Sequence, residues 1–202
     1  MLSFKLFSDP LNLYLAWLDF KRGKTKKADT VLFERNLEDN LFCLSGELLS
    51  GVYKHQSYKT FFIRDPKFRE INKATVRDRI IHQAIYNELY PLFSKGFFFD
   101  SYSSLLLKGT HNAIKRAENF ICQAGNNFKN SVWILHGDVK NFFANVNHQI
   151  LLNKLRNKIK DDDYLLLCQE IINSYHGESG CGMPLGNLTS QIFANIYLHE
   201  LD

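Results

Sequence analysis

Cysteine is scarce and scattered in this 202-residue chain: Cys43, Cys122, Cys168 and Cys181 form no C-x-x-C pair. That argues against a disulfide framework and leaves them as core or surface thiols. A zinc site built on Cys168, His176 and Cys181 lacks a fourth ligand at suitable spacing, and tetrahedral closure needs four. No window approaches the roughly 18 consecutive apolar residues that a membrane span requires. The N-terminal MLSFKLFSDPLNLYLAWLDF is interrupted by Lys5, Asp9 and Asp19 and has no small-residue cleavage site, which argues against a secretory leader. Internal repeats and low-complexity linkers are missing too. Together these absences give the expectation of a cytoplasmic protein with no membrane partner.

Phenylalanine is abundant instead, with 17 copies, and most are expected in a core because nothing else would bury so many rings. The net charge of +4 is modest, but its distribution is uneven. Residues 1–130 hold 20 Lys+Arg against 13 Asp+Glu, and residues 131–202 hold 5 against 8. A basic front joined to a slightly acidic back suits a phosphate-binding module fused to a metal-binding one. Charge drift over a solvated surface gives the same count.

Periodicity predicts a helix over Pro10–Phe20 with Leu11, Leu15, Trp17 and Leu18 on one face. It predicts a second over Val31–Ser50, with Leu37, Leu41, Leu44 and Leu48 stacked and Gly51 as its stop. Tyr58–Ile63 and Phe68–Asn72 read as two strands around an Arg64-Asp65-Pro66-Lys67 turn. Helices are expected over Val76–Tyr90, closed by Pro91, and over Thr110–Ala124. Trp133–Val139 (WILHGDV) reads as a short buried strand ending in a carboxylate. Asn147 is placed to cap a helix carrying Ile150, Leu151, Leu155 and Ile159. A further helix runs through Ile172, and Asn187 is placed to cap a last one bearing Leu188, Ile192, Ile196 and Tyr197.

Three windows could carry chemistry. Asp138, at the end of the 133–139 run, is costly to bury unless paired or holding a cation. Carboxylates from neighbouring strands could hold a pair of Mg²⁺ ions, although a lone strand-end Asp is more often a turn residue. Gly182-Met183-Pro184-Leu185-Gly186-Asn187 lets backbone approach a flat or charged ligand, or is an ordinary loop into a helix. From Lys54 to Arg79 there are eight Lys+Arg and three Asp+Glu, and a basic hairpin grips phosphates or simply protects a sheet edge.

In order, these windows resemble the blocks of bacterial reverse transcriptases of the group II intron, retron and diversity-generating retroelement kind. Arg69-Glu70-Ile71 followed by Arg77-Asp78-Arg79-Ile80-Ile81-His82-Gln83-Ala84 resembles the fingers block. Asp100-Ser101-Tyr102 with Lys108-Gly109-Thr110-His111 and Ala113 resembles the next. Gly137-Asp138-Val139-Lys140 with Phe142-Phe143 and Asn147-His148 resembles the first palm motif, and Gly182 to Gln191 the second.

The resemblance implies an α+β right-hand polymerase. Residues 1–50 would be an N-terminal helical segment and 51–130 helical fingers with a β-hairpin. Residues 131–202 would be the first part of an incomplete ferredoxin-like palm. It implies copying of RNA into DNA with two Mg²⁺ ions, an RNA template, a DNA primer, dNTPs and an accessory protein. By motif, Asp138 would be the catalytic metal-binding aspartate, assisted by the Val139 carbonyl. Phe143 would gate against a ribose 2′-hydroxyl. Arg64 and Arg69, with Lys67 as a substitute, would hold the triphosphate. Pro184, Leu185 and Gly186 would line the base-pair pocket, and Lys108, Thr110 and His111 would contact nucleic acid.

Three departures stand out. Leu185 replaces the glutamine of many relatives, which is most like the mutagenic diversity-generating enzymes and points to hypermutation. Ser103–Leu107 reads SSLLL where relatives have a more polar, arginine-containing stretch, so an RNA or substrate contact is expected to be lost there. The Tyr/Phe-x-Asp-Asp hairpin is absent, so residues 1–202 alone are expected to be inactive. A non-catalytic RNA-binding or maturase-like remnant and a decayed gene product are the competing readings.

Overall fold

The computed structural model describes residues 3–64, 68–175 and 180–201. Its chain order is α1 (Phe4–Phe7), α2 (Pro10–Lys21), α3 (Ala28–Glu34), α4 (Leu37–Leu49), β1 (Lys59–Arg64), β2 (Phe68–Lys73), α5 (Val76–Phe93), α6 (Thr110–Ala124), α7 (His148–Lys158), α8 (Asp162–Asn173) and α9 (Leu188–Leu198). Several helices, α2, α7 and α8 among them, start where the sequence supplies caps. Asp9 accepts from Leu11 N at 2.8 Å with Pro10 in the first turn, Asn147 accepts from Ile150 N at 3.0 Å, and Asp161 accepts from Tyr164 N at 3.1 Å. Gly51 ends the α4 region at φ +68° with no atom near a would-be Cβ.

The core is helical, and α5 is its axis. Ile80, Ile81, Ala84, Ile85 and Leu89 are buried on it, between α2 on one side and α9 on the other. From α2 come Leu13, Ala16, Trp17 and Phe20, and from α9 come Ile192, Phe193 and Ile196. Each fully buried Leu or Ile contributes on the order of 1.5–3 kcal/mol through loss of apolar surface to water. Helices α7 and α8 extend the same core with Leu151, Leu155, Leu167, Cys168 and Ile171.

Several expectations need correction. The buried face of α2 is not the one read from Leu11 and Leu15, which are 65% and 52% exposed. That helix is apolar nearly all round, so its partner α5 chooses the face. The 31–50 region is two helices, broken at Arg35–Asn36. Helix α5 continues past Pro91 to Phe93, because a proline in the last turn deletes only one terminal bond. On α7, Leu152 is buried and Ile150 is half exposed. Of the phenylalanines only Phe7, Phe20, Phe93 and Phe193 are buried; many of the others lie along the hairpin, in the 97–99 stretch and on α6.

The largest correction concerns residues 133–139. They form no strand: Trp133 and Leu135 are 97% and 99% exposed. Among the described residues no backbone group from 131 to 139 is hydrogen-bonded, and an extended segment becomes a strand only when a neighbour takes its N–H and C=O groups. The sheet is two-stranded, β1–β2. Among the described residues, the 131–202 region contributes helices and one isolated bridge, Asn147 to Cys181, and no ferredoxin-like sheet forms there.

Candidate active site

The 142–147 turn and the 181–187 loop are far apart in sequence but locked together. Met183 N donates to Phe143 O at 2.7 Å, Gly182 N to Val146 O at 2.9 Å and His148 N to Gly180 O at 3.0 Å. His148 Nε2 meets Gly182 O at 2.7 Å. Phe143, the expected gate, thus sits beside the expected base-pair pocket. Its ring stacks edge-on against Phe142, 5.3 Å between centroids.

The same loop reaches the hairpin. Asn72 N on β2 donates to Leu185 O at 3.1 Å. Gly186 adopts φ +108°, and a Cβ there would lie 2.9 Å from Ile71 Cγ2, so only glycine allows this approach. Pro184 is buried, Leu185 half-buried and Gly186 exposed.

The register separates the two expected triphosphate ligands. Arg69 pairs with Ile63, and Arg64 with Phe68, which places them on opposite faces of the ribbon. Arg69 shares its face with Ile71, against Gly186, while Arg64 shares the other with Phe62 and Glu70. Both are exposed, and among the described residues neither has an acidic partner. Lys67 lies outside the described residues, as does His176 of the cysteine–histidine set.

Asp138 and Val139 are exposed and in irregular chain. Among the described residues no three His, Cys, Asp or Glu side chains converge. Without such a cluster, the described residues do not by themselves fit the two-ion expectation. Lys108 is drawn inward: its ammonium meets Phe99 O and lies over the Phe99 and Tyr102 rings at 4.3 and 4.9 Å. Thr110 opens α6 and His111 follows, both exposed.

A second network holds the hairpin's base. Asp78 is fully buried, and its carboxylate accepts from Tyr53 Oη at 2.9 Å, Gln56 N at 3.2 Å, Thr75 Oγ1 at 2.7 Å and Arg77 Nη1 at 3.1 Å. Arg77 also pairs with Glu47. Burial alone would raise the Asp29 carboxyl, but Lys73 at 2.7 Å and Arg79 at 2.6 Å bring it down to about 2. Sequence reasoning missed the role of Asp78; its signal was a carboxylate three residues after a capping Thr75.

A family model described as reverse transcriptase (RNA-dependent DNA polymerase) matches residues 54–202. Protein YkfC of Escherichia coli (strain K12) is 27% identical over 196 residues, covering 92% of this chain and 51% of that protein. The group II intron-encoded protein LtrA of Lactococcus lactis subsp. cremoris is 27% identical over 175 residues, covering 82% of this chain and 28% of that one. The chain thus spans about half of the first and less than a third of the second. A solved partial Cas6-RT-Cas1--Cas2 complex contains a chain that superposes over 98% of this one with a TM-score of 0.57 at 19% identity, a likeness of fold.

Proposed function

The chain belongs to the reverse transcriptase (RNA-dependent DNA polymerase) family, and from that membership we propose that it is the template- and nucleotide-gripping portion of an RNA-directed DNA polymerase of retroelement type. One observation carries the reading: the hairpin, the Phe143 turn and the Pro184–Gly186 loop are joined into one unit by the Met183–Phe143 and Asn72–Leu185 backbone bonds. Phe143 then stands as the gate and Gly186 as the floor on which a base pair rests. Arg69, on the loop-facing side of β2, is the guanidinium fork for phosphate, and Arg64 serves nucleic acid on the opposite face. Template RNA, DNA primer, dNTPs and an accessory protein are the partners this reading calls for, in the cytoplasm.

Divalent-metal chemistry belongs to the proposal only through a carboxylate set larger than the described residues assemble. This span alone is accordingly proposed to bind nucleic acid without extending a primer. A second reading, a non-catalytic RNA-binding protein, draws on Asp138 standing exposed and outside any cluster of three metal-ligating side chains among the described residues. The deciding experiment offers the purified 202-residue chain, and the longest in-frame product of its locus, a primed RNA template with dNTPs and Mg²⁺. The polymerase reading expects extension by the longer product alone, abolished by Asp138→Asn. Binding with no extension by either would leave RNA binding as the function.

A further inference from the structure

His82 is 1% exposed on α5, between two other polar side chains. Its Nδ1 lies 3.3 Å from Thr189 Oγ1, itself buried in the first turn of α9. Its Nε2 lies 3.1 Å from His55 Nε2, and His55 Nδ1 lies 2.6 Å from the Gln56 carbonyl oxygen. Burial, then the neighbouring His55 and the Arg79 charge, hold His82 down to about 3, so its ring is neutral.

With both imidazoles neutral, hydrogen-bond chemistry permits one arrangement. A carbonyl oxygen only accepts, so His55 Nδ1 carries the proton and, in a neutral ring, His55 Nε2 accepts. His82 Nε2 must therefore carry its proton, and His82 Nδ1 must accept. Thr189 supplies the remaining hydrogen from its hydroxyl. The chain runs Thr189 to His82 to His55 to Gln56 O, each group donating to the next. It ties α9 to α5, and α5 to the segment that enters β1.

We propose that His82 is a positioning residue which, in this single tautomer, fixes the start of α9 and hence the Pro184–Asn187 turn against the helix that carries the hairpin. The turn is held from two sides: by β2 through Asn72 and Ile71, and by α5 through His82. Leu cannot replace His82 because it neither donates nor accepts. Gln can, since its amide presents one acceptor and a donor about as far apart as the two ring nitrogens. The bearing on nucleotide selection rests on the polymerase reading; the tautomer assignment does not.

The test is long-range ¹H–¹⁵N correlation spectroscopy of the imidazoles in the labelled 202-residue chain. The expected result is His82 protonated on Nε2 and His55 on Nδ1 at neutral pH. His82→Gln should keep the His55 tautomer and the backbone amide shifts of residues 185–190. His82→Leu should release His55 into a mixture of tautomers and move those amides. His82 protonated on Nδ1, or charged at neutral pH, overturns the proposal, as does a His82→Leu protein with unchanged His55 and residue 185–190 signals. If His82→Leu fails to fold, the parent and His82→Gln spectra decide alone. Loss of RNA binding with both tautomers as assigned would sink the polymerase reading and leave this one standing.

Discussion

At the scale of single residues, Gly186 is where sequence and geometry meet most tightly. A side chain there faces two separate penalties, a φ of +108° and a 2.9 Å contact with Ile71 Cγ2. Gly51 has a positive φ of +68° but open space around it. Gly51→Ala should therefore cost about 1 kcal/mol, and Gly186→Ala about 2–3 kcal/mol. Urea unfolding of both variants measures the difference, and faster hydrogen exchange at Asn72 N–H in Gly186→Ala alone would locate it. Equal costs would show that the hairpin contact contributes nothing. Glu88 makes a second residue-scale case. Burial, and behind it the Asp161 charge, pushes its carboxyl up to about 7, against the pull of the Tyr164 hydroxyl. The folded state thus holds a proton that the unfolded chain releases near about pH 4.3. That stabilisation is complete below the unfolded value and fades as the pH rises through about 7. Glu88→Gln should remove the dependence and raise stability at pH 8 by about 1 kcal/mol, a figure discounted for partial exposure. Parallel melts at pH 4 and pH 8 check it, and a variant that tracks the parent at both would refute it.

At the scale of elements, what the sequence reveals depends on whether the cause is local. The Asn147 cap acts within three residues, so the start of α7 was legible, whereas Asp9 and Asp161 cap α2 and α8 in the same local way but were not read as caps. Also legible were β1 and β2, whose turn signal lies between them, and α6, whose span matches its periodicity. The Leu41, Leu44 and Leu48 stripe was legible because α4 has one apolar side. The buried face of α2 was not, since an all-round apolar helix is oriented by its neighbour. Asn187 occupies the position before α9, but its buried side chain does not cap the helix. The 133–139 run was misread for a related reason: its composition suits a strand, but strand formation needs a second backbone. The candidate site follows the same division. Its windows were each visible in the sequence, whereas the opposite facing of Arg64 and Arg69 required the register, and among the described residues Asp138 joins no cluster of three metal-ligating side chains. The chain's two tryptophans report on this directly, because Trp17 is fully buried and Trp133 is 97% exposed. Emission of the parent should contain a red-shifted, iodide-quenchable component that disappears in Trp133→Phe, leaving a blue-shifted, protected one. Protection of both indoles in the isolated chain would mean that the 133–139 segment has found a partner strand.

At the scale of the whole molecule, the basic front half overstates the charge available to a phosphate backbone. Part of it is neutralised internally: Lys21 by Glu34, Lys54 by Glu170, Lys73 and Arg79 by Asp29, Arg77 by Glu47, and Arg116 by Asp100. Arg64 and Arg69 differ, since they stand exposed on the hairpin with no acidic partner among the described residues. Single-stranded RNA releases about 0.7 counterion per neutralised phosphate, so each free arginine that grips RNA adds about that much to the slope of log affinity against log salt. Arg64→Ala and Arg69→Ala should each make the slope shallower by about 0.7 while leaving the urea midpoint nearly unchanged. Arg79→Ala should do the reverse, because its guanidinium is held by Asp29 and lies over the Phe20 ring at 4.9 Å: stability falls and the slope stays. Anisotropy titrations at several salt concentrations distinguish the two patterns. If all three variants lose affinity in proportion to lost stability, the hairpin cations are surface charge and the nucleic-acid interface lies elsewhere. If the slopes separate as expected, the two faces of one hairpin each engage phosphate, and the opposite orientation of Arg64 and Arg69 reflects two contacts rather than one divided site.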